Sequence, residues 1–342
     1  MFSKFYVGIK NFIKEHLVFL LVLILIFGVL RFPTGYVIYR PGGTIDIANR
    51  ISIDGEDTTL SGSLSMVYVG MIEGTLPFYL LGRIIPSWEL VPKEYVTASD
   101  HETIADANRR NRLFFEESVS IAKKIAYQHS DIPFEIINEK NYIIFVDERA
   151  SSDLMVGDQL LKFNGQTYQS LNEFRDYIQS KEAGDIITLT IKRNNHQKNI
   201  ETAIFVDDEE NSRVGLNIVT TFKIEAEQMV VVDSQASETG PSGGLMLTLA
   251  IYSALTNNDI TRGNIIVGSG TINLAGEIGR VGGIGLKLSG AVRNNADIFI
   301  VANDVNYQEA RRYATERNYD IIIRGVNTFE ETLEFLKNVE VR

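Results

Sequence analysis

The chain has 342 residues, of which 44% are hydrophobic, and its formal net charge at pH 7 is −11. This length allows two domains with hydrophobic cores, and the apolar content excludes a disordered chain. The acidic balance argues against a nucleic-acid partner, because phosphate binding requires clustered lysine and arginine, and the absence of cysteine excludes a disulfide scaffold, thiolate zinc sites and a cysteine nucleophile.

An unbroken apolar run near the N-terminus extends from Leu17 to Leu30. It is shorter than the roughly 20 residues of a transmembrane helix and close in length to a signal-peptide core. We expect a retained single-pass membrane anchor over residues 1–34, because no Ala-x-Ala cleavage site follows; a cleaved signal and a buried core helix are the alternatives. Lys4, Lys10 and Lys14 predict a cytoplasmic N-terminus, which places the remaining, catalytic part of the chain outside the cell membrane.

Short strands and one long helix are predicted next. Ser99 and Asp100 have the side chains of a helix cap, ahead of a helix from His101 to about Gln128. The Arg109–Arg112 cluster of this helix is expected to be a solvent-exposed face. Three preceding segments have the alternating or β-branched pattern of strands: Tyr36–Tyr39, Ile51–Gly55 and Ser65–Gly70.

Residues 131–210 form a strand-rich segment with one helix. The predicted elements are strands at Tyr142–Val146 and Ile186–Lys192, turns at Gly157–Asp158 and Asn164–Gly165, and an amphipathic helix at Leu171–Ser180. This order resembles a PDZ domain, and PDZ domains capture a peptide by adding it as a strand beside the helix. We therefore expect Tyr142, Ile143 and Ile144 to pair with a bound peptide; a structural or regulatory role is the alternative. The loop before Tyr142 lacks the glycine expected for carboxylate capture.

A Gly-rich turn between a β-type segment and an apolar run carries a candidate nucleophile. Met229–Asp233 predicts a strand, and the apolar run after the turn predicts a buried helix that begins near Ser242. Free backbone N–H groups and the positive end of the helix dipole stabilise an oxyanion at such a position. Ser242 is therefore a candidate nucleophile, in a turn formed by Gly240, Pro241 and Gly243.

A serine nucleophile needs a base, and none of the four histidines lies in a pattern typical of one. Lys287 is predicted to begin a helix packed by small residues, where burial lowers the pKa of its amine and allows it to act as a general base. The Gly-rich segments fit neither a phosphate-binding loop nor a dinucleotide fingerprint, so neither ATP nor another nucleotide is predicted. No pattern indicates a catalytic metal. Glu238 and Glu277 are expected to be exposed to solvent.

Four motifs together resemble the peptidase domain of Lon-type serine proteases: Gly-Pro-Ser-x-Gly at Gly240–Gly244, Gly-x-Ile at Gly270–Ile272, Gly-Glu at Gly276–Glu277, and Gly-Gly-Ile-x-x-Lys at Gly282–Lys287. The resemblance implies a Ser-Lys dyad in which Ser242 is the nucleophile and Lys287 the base. It assigns the orientation of the lysine amine to Ser269, which stands where the family has threonine. Gly243 also departs from the family, where alanine is common.

The layout of the chain is similar to that of the PDZ-Lon peptidases of Gram-positive bacteria. This resemblance implies an α+β protein in which residues 35–130 and 211–342 form the peptidase domain and residues 131–210 are an inserted PDZ-like domain. It implies an ATP-independent serine endopeptidase without a cofactor, acting on extracytoplasmic peptides or flexible protein segments, among them a secreted signalling peptide. A catalytically inactive, membrane-tethered scaffold that binds peptides is the alternative, favoured by the departures at Gly243 and Ser269.

Overall fold

The structure is a computed structural model that describes residues 6, 10, 12–99, 102–150 and 152–341. Its helices within this part of the chain are α1 (Leu17–Arg31), α2 (Leu76–Ile84), α3 (Ile104–His129), α4 (Leu171–Gln179), α5 (Gly244–Thr256), α6 (Ile284–Arg293), α7 (Val305–Arg317) and α8 (Phe329–Lys337). The strands are β1 (Pro33–Asp46), β2 (Ile51–Ile53), β3 (Glu56–Asp57), β4 (Ser63–Thr75), β5 (Glu89–Pro92), β6 (Phe134–Val146), β7 (Gln159–Phe163), β8 (Ile186–Arg193), β9 (His196–Ala203), β10 (Phe205–Val206), β11 (Ser212–Arg213), β12 (Leu216–Ala226), β13 (Val230–Val232), β14 (Ile265–Ser269), β15 (Thr271–Ile272), β16 (Ile278–Gly279), β17 (Ile298–Ala302) and β18 (Ile322–Val326). Short 3-10 turns occupy Ala48–Arg50, Lys93–Tyr95 and Glu148–Ala150.

The chain divides into two compact units, one of residues 1–41 and 69–100 and the other of residues 42–68 and 101–342. In the first unit, α1 is apolar up to its last residue and buries none of its side chains. Its 15 residues correspond to about 22 Å at the rise of an α-helix. No helix of the described residues is both long and apolar enough to cross a membrane. The predicted transmembrane anchor is therefore not confirmed; residues 1–5, 7–9 and 11, which that prediction includes, lie outside the described part.

The first unit also contains a small antiparallel pair. Strand β1 pairs with β5, with Tyr36 opposite Pro92 and Ile38 opposite Leu90. The predicted strand at Tyr36–Tyr39 therefore lies within β1. Helix α2 begins after Thr75 with a proline in its first turn, where the missing N–H of proline costs no hydrogen bond.

The second unit contains a parallel sheet in which neighbouring strands follow the order β18, β17, β14, β4. Every residue of β17 is buried, as expected of a strand covered on both faces. The register sets Gly268 beside Met66 and Ser269 beside Val301. The segment that precedes the PDZ-like elements thus supplies a strand to the same sheet as the C-terminal segment. Ser269 ends β14 at the carboxyl edge of this sheet, where ligand sites of α/β sheets lie.

Helix α5 is the centre of the main core. Each residue from Gly244 to Ile251 is buried, which confirms the predicted buried helix. Tyr127 of α3 and Phe329 of α8 are almost fully buried in the same cluster. Each large side chain buried in this way stabilises the fold by about 1.5–3 kcal/mol. The helix is therefore held from several sides, and so is the loop at its N-terminus.

Helix α3 begins three residues later than predicted. Its N-cap is Thr103, whose hydroxyl accepts the N–H of Asp106 at 3.1 Å while the carboxylate of Asp106 accepts the N–H of Thr103 at 3.3 Å. This reciprocal capping box satisfies two backbone donors at once. The predicted cap at Ser99–Asp100 is therefore wrong, and Asp100 itself lies outside the described residues.

The second unit also contains a five-stranded antiparallel sheet with the order β12, β6, β7, β8, β9. Its own core contains Phe174 and Ile178 of α4 together with Ile143, Leu189 and Ile191 of the strands. The predicted strands and amphipathic helix of the PDZ-like segment are present as β6, α4 and β8. Strand β12 follows these elements in the chain, yet it pairs with β6 over nearly its whole length.

Candidate active site

Ser242 lies on an irregular loop that joins β13 to α5. The helix begins at Gly244, close to the predicted start near Ser242. Gly240 has a φ of +81°, a left-handed conformation that favours glycine. Its N–H donates to the carbonyl oxygen of Asn111 on α3 at 2.7 Å. The turn before the serine is therefore fixed both by a glycine and by the neighbouring helix.

Two backbone N–H groups beside the serine are available to an anion. The N–H groups of Gly244 and Leu245 already donate to carbonyl oxygens. Within the described part of the chain, those of Ser242 and Gly243 donate to no protein acceptor. Both lie at the positive end of α5, so a negative oxygen held there would meet two donors and a favourable dipole.

Ser269 links the nucleophile loop to the lysine. Its hydroxyl is fully buried and donates to the carbonyl oxygen of Ser242 at 3.1 Å. The Nζ of Lys287 donates to the same hydroxyl at 2.9 Å. The N–H of Gly270 also donates to the carbonyl oxygen of Ser242, at 2.9 Å. The three residues that the sequence singled out, separated by up to 45 positions in the chain, thus meet in one hydrogen-bonded chain.

Lys287 lies in the first turn of α6 and is 5% exposed. Burial lowers the pKa of its amine from 10.5 to about 8, because desolvation disfavours the ammonium form. Small residues allow α6 to pack closely against α7, since a Cβ on Gly285 would lie only 2.6 Å from the ring of Tyr313. With a pKa of about 8, roughly a tenth of the amine is neutral at pH 7.

The Ser242 hydroxyl itself makes no hydrogen bond to Lys287 within the described residues. Catalytic hydrogen bonds are often long in unliganded sites and tighten when substrate binds. What the structure holds in place is the amine, the carbonyl of the serine and the buried hydroxyl between them.

The two carboxylates near the motifs differ in their exposure to solvent. Glu277 is exposed, as predicted, and its carboxylate accepts the side-chain amide of Asn273 at 2.7 Å. Glu238 is only 8% exposed, so the predicted exposure of that residue is wrong. Its carboxylate forms an ion pair with Arg50. Sequence analysis missed this pair, because its members are 188 positions apart and no local pattern connects them.

The arginine cluster of α3 is exposed, as predicted, only at Arg109; Arg110, Asn111 and Arg112 are half-buried. Arg112 donates to the carbonyl oxygens of Gln235 and Glu238, at 2.7 and 3.3 Å. Arg109 donates to the carbonyl oxygen of Val156 at 3.3 Å. One face of α3 therefore contacts both the Ser242 loop and the turn that precedes β7. No residue pattern predicts these partners, because they are backbone carbonyl groups of loops.

The predicted peptide-pairing residues occupy the interior of their sheet. Tyr142 lies opposite Val219 of β12 on one side and opposite Gln159 of β7 on the other. Ile143 likewise lies opposite Ile218 and is fully buried. A strand paired on both sides offers no free backbone groups to a peptide, so strand addition along Tyr142, Ile143 and Ile144 is wrong. The free edge of this sheet beside α4 is β12.

A groove runs between this free edge and α4. It has a volume of about 600 Å3 and is lined by apolar side chains including Phe145, Phe174 and Ile178, and by the segment Ser212–Ile218. Gly215 in this segment has a φ of +70°, and a Cβ there would lie 2.8 Å from that of Asp147. The loop before Tyr142 lacks a glycine, but the loop before β12 has one, in Val214-Gly215-Leu216. This glycine is visible in the sequence just after the acidic residues 207–210.

Comparison with known proteins identifies two domains. A PDZ domain family model matches residues 132–204, and the model of the Lon protease (S16) C-terminal proteolytic domain matches residues 212–337. No curated protein matches the chain. The chain therefore carries a PDZ domain followed by a Lon-type proteolytic domain, in a mixed α+β fold. The second of these domains includes the Ser242 loop, Ser269 and Lys287.

Solved structures similar to the chain include isolated PDZ domains. The PDZ domain of an SdrC-like protein from Listeria monocytogenes is 22% identical, with a TM-score of 0.23, and the match covers 25% of this chain and 93% of that one. The PDZ domain of an SdrC-like protein from Listeria innocua is 27% identical, with a TM-score of 0.22 and coverage of 23% and 92%. A solution structure from Geobacillus thermodenitrificans is 21% identical, with a TM-score of 0.21 and coverage of 22% and 92%.

Proposed function

We propose that this chain, which combines a PDZ domain with a Lon-type proteolytic domain, is a serine endopeptidase that uses Ser242 as nucleophile and Lys287 as general base and requires no ATP. One observation carries the proposal. A lysine amine that burial keeps partly neutral donates to Ser269, and Ser269 donates to the backbone of Ser242. A serine activated by a neutral amine fits amide hydrolysis at near-neutral pH.

The proposed reaction begins with proton transfer. Neutral Lys287 takes the proton of the Ser242 hydroxyl as its oxygen attacks the peptide carbonyl carbon. The carbonyl oxygen becomes an oxyanion and accepts the free N–H groups of Ser242 and Gly243. Lys287, now an ammonium, returns the proton to the leaving amine nitrogen as the C–N bond breaks. Water then hydrolyses the acyl-enzyme by the same steps, with Lys287 again as base.

Ser269 has a positioning role in this proposal. Its hydroxyl accepts a hydrogen bond from the lysine amine and donates one to the carbonyl oxygen of Ser242, so the donor and the acceptor of each hydrogen bond are defined. The lone pair of the neutral amine is then free to face the nucleophile. Loss of the methyl group that threonine would supply leaves this hydrogen bonding unchanged.

The PDZ domain is proposed to recruit the substrate through the groove beside α4. An extended segment added to the free edge of β12 would gain backbone hydrogen bonds and bury apolar side chains against Phe174 and Ile178. Extracytoplasmic peptides, including a secreted signalling peptide, remain the predicted substrates. What supports that location is the lysine-flanked apolar segment at the N-terminus.

The test is cleavage by purified variants. Ser242→Ala and Lys287→Ala should each abolish cleavage of peptides that the unchanged protein cuts, with fragments identified by mass spectrometry. Ser253→Ala and Lys123→Ala are matched controls, because Ser253 is buried on the same helix as the nucleophile loop and the pKa of Lys123 is also lowered by burial. Both controls should still cut. Cleavage by folded Ser242→Ala or Lys287→Ala would refute the dyad, and an unchanged protein that cuts nothing would favour the inactive scaffold.

A further inference from the structure

The loop that carries Ser242 depends on side chains from elsewhere for its shape. Between the end of β13 and the start of α5, residues 233–243 contain turns but no helix or strand. Such a segment has no ladder of backbone hydrogen bonds to define it. Its conformation therefore depends on the groups that bind its backbone, and those groups also determine where the serine hydroxyl lies.

Glu238 supplies one set of these bonds. Its buried carboxylate accepts the N–H of Gln235 at 3.1 Å and pairs with the guanidinium of Arg50. The backbone N–H of Glu238 in turn donates to the carbonyl oxygen of Gln235 at 3.1 Å. Arg50 precedes β2, which pairs with β13, and the carbonyl of Arg50 accepts the N–H of Asp233 at 2.8 Å. Both ends of this part of the loop are therefore attached to one rigid strand pair.

Arg112 supplies the second set from the opposite side. It donates to two carbonyl oxygens of the loop, those of Gln235 and Glu238. Further along the same helix, the hydroxyl of Ser118 donates to the carbonyl oxygen of Pro241 at 3.4 Å. The loop is thus held between Arg50 on one side and α3 on the other, with Glu238 in contact with both.

We propose that Glu238, through its ion pair with Arg50, is a positioning residue that holds the Ser242 loop in the conformation needed for attack. This inference rests on the proposed function, since it requires Ser242 to be the nucleophile. Among the described residues, Glu238 makes no hydrogen bond or ion pair with Lys287 or Ser269. It therefore acts on the geometry of the serine and not on the basicity of the amine.

The experiment compares Glu238→Gln and Arg50→Gln with the unchanged full-length chain. The first readout is the rate at which a small p-nitrophenyl ester acylates Ser242 as nitrophenolate leaves, which reports serine reactivity without distant substrate contacts. Glu238→Gln should lower this rate about 10- to 100-fold, as expected for a displaced nucleophile. Arg50→Gln should lower it less, because the bond from Gln235 to the carboxylate remains.

Two further readouts separate positioning from loss of structure. For a peptide that the unchanged protein cuts, kcat should fall while KM stays within about twofold, because the loop orients the attack and does not hold the remote substrate. The midpoint of the pH profile should not move, since burial and not a charge on Glu238 lowers the pKa of the Lys287 amine. The double variant Arg50→Gln/Glu238→Gln should lose no more activity than Glu238→Gln alone, as expected for partners in one interaction.

Glu316→Gln is the matched control, because Glu316 forms an exposed ion pair with Arg312 at 4.0 Å, far along α7. Ser242 of this variant should be acylated at the same rate as in the unchanged protein. The proposal is overturned if folded Glu238→Gln acylates as fast as the control, if only KM changes, if the pH midpoint moves, or if the two substitutions add. If the unchanged protein itself is not acylated, the proposed function fails instead, so the two failures are distinguishable.

Discussion

Lys287 combines a cost to stability with its proposed role as a general base. Its folded pKa of about 8 lies below the ordinary 10.5, so between these pH values the unfolded chain binds more protons than the folded one. Stability therefore rises with pH across this window, and the full penalty is present at pH 7. A shift of this size corresponds to about 3 kcal/mol.

Replacing Lys287 by methionine should abolish activity and raise stability at pH 7. Methionine fills similar space without a charge to desolvate, although it loses the hydrogen bond to Ser269. We expect a higher melting temperature than that of the unchanged protein at pH 7, and a smaller difference at pH 10. Thermal unfolding at both pH values measures this. A variant less stable than the unchanged protein at pH 7 would contradict the assigned burial penalty.

Sequence and structure agree best where chemistry and local pattern coincide. Ser242 and Lys287 could be singled out because a Gly-rich turn before an apolar helix and a lysine among small residues are both local features. Glu238 could not be singled out, because an acidic residue in a loop is expected to be exposed and its partner Arg50 is 188 positions away in the sequence. The same holds for Arg112, whose partners are backbone carbonyls and therefore have no side-chain signature.

Two adjacent glycines, Gly243 and Gly244, lie at the start of α5. Gly243 has a φ of −90°, which any residue adopts, and the atom nearest to a Cβ there would be the sulfur of Met66, at 2.8 Å. A Cβ on Gly244 would lie 2.8 Å from the hydroxyl of Ser118 and 3.2 Å from the backbone nitrogen of Ile272. The two adjacent glycines therefore differ in what surrounds them.

We expect Gly244→Ala to destabilise the protein by about 1–3 kcal/mol, because backbone atoms must shift. Gly243→Ala should change stability by less than about 1 kcal/mol, because a methionine side chain can rotate away. Chemical unfolding of the two variants side by side gives the comparison. Equal losses in both would contradict the packing described at this helix start.

The free edge of the antiparallel sheet makes a second prediction at the scale of elements. A peptide that adds to β12 should protect backbone amides at its N-terminal end, around Leu216 and Ile218, from hydrogen exchange. Amides of Tyr142 and Ile143 are already protected in the folded sheet and should not change. Hydrogen-exchange mass spectrometry with and without a bound peptide measures this. Protection appearing only in β6 would contradict the location of the groove.

The strand β6 was predictable from its apolar residues, but its place in the sheet was not. Whether a strand is central or at an edge depends on partners that are distant in sequence, and β12 follows β6 by some 70 positions. The sequence therefore indicated a peptide-binding module and placed the peptide on the wrong strand. Helix α3 was predicted with the wrong N-cap, because Ser99, Asp100 and Thr103 all have side chains that can cap a helix.

At the scale of the molecule, the PDZ domain is not a detachable insert. The family match ends at residue 204, yet β12 beyond it pairs with β6 inside it. Ser120 of α3 bonds both backbone groups of Phe222 in β12, at 2.9 and 3.1 Å. The helix that supports the nucleophile loop is thus also attached to the sheet that lines the groove.

Two deletions distinguish this arrangement from a simple insertion. Removing residues 132–204 takes away β6 and leaves β12 without its partner, so we expect a marked loss of folded protein. Replacing residues 147–215 by Asn-Gly should do much less harm, because Val146 and Leu216 are opposite each other and this dipeptide closes a two-residue hairpin. Thermal unfolding of both shortened chains is the measurement. Equal stability of the two would show that the β6–β12 pair contributes little.

The most direct test of the central claim is the pH dependence of Ser242 acylation in the unchanged protein. With Lys287 as base, the rate follows the neutral fraction of its amine and should rise tenfold per pH unit below a midpoint of about 8, then level off. Lys287→Met should not be acylated at any pH in this range. A rate independent of pH, or acylation of Lys287→Met at the unchanged rate, would contradict the account.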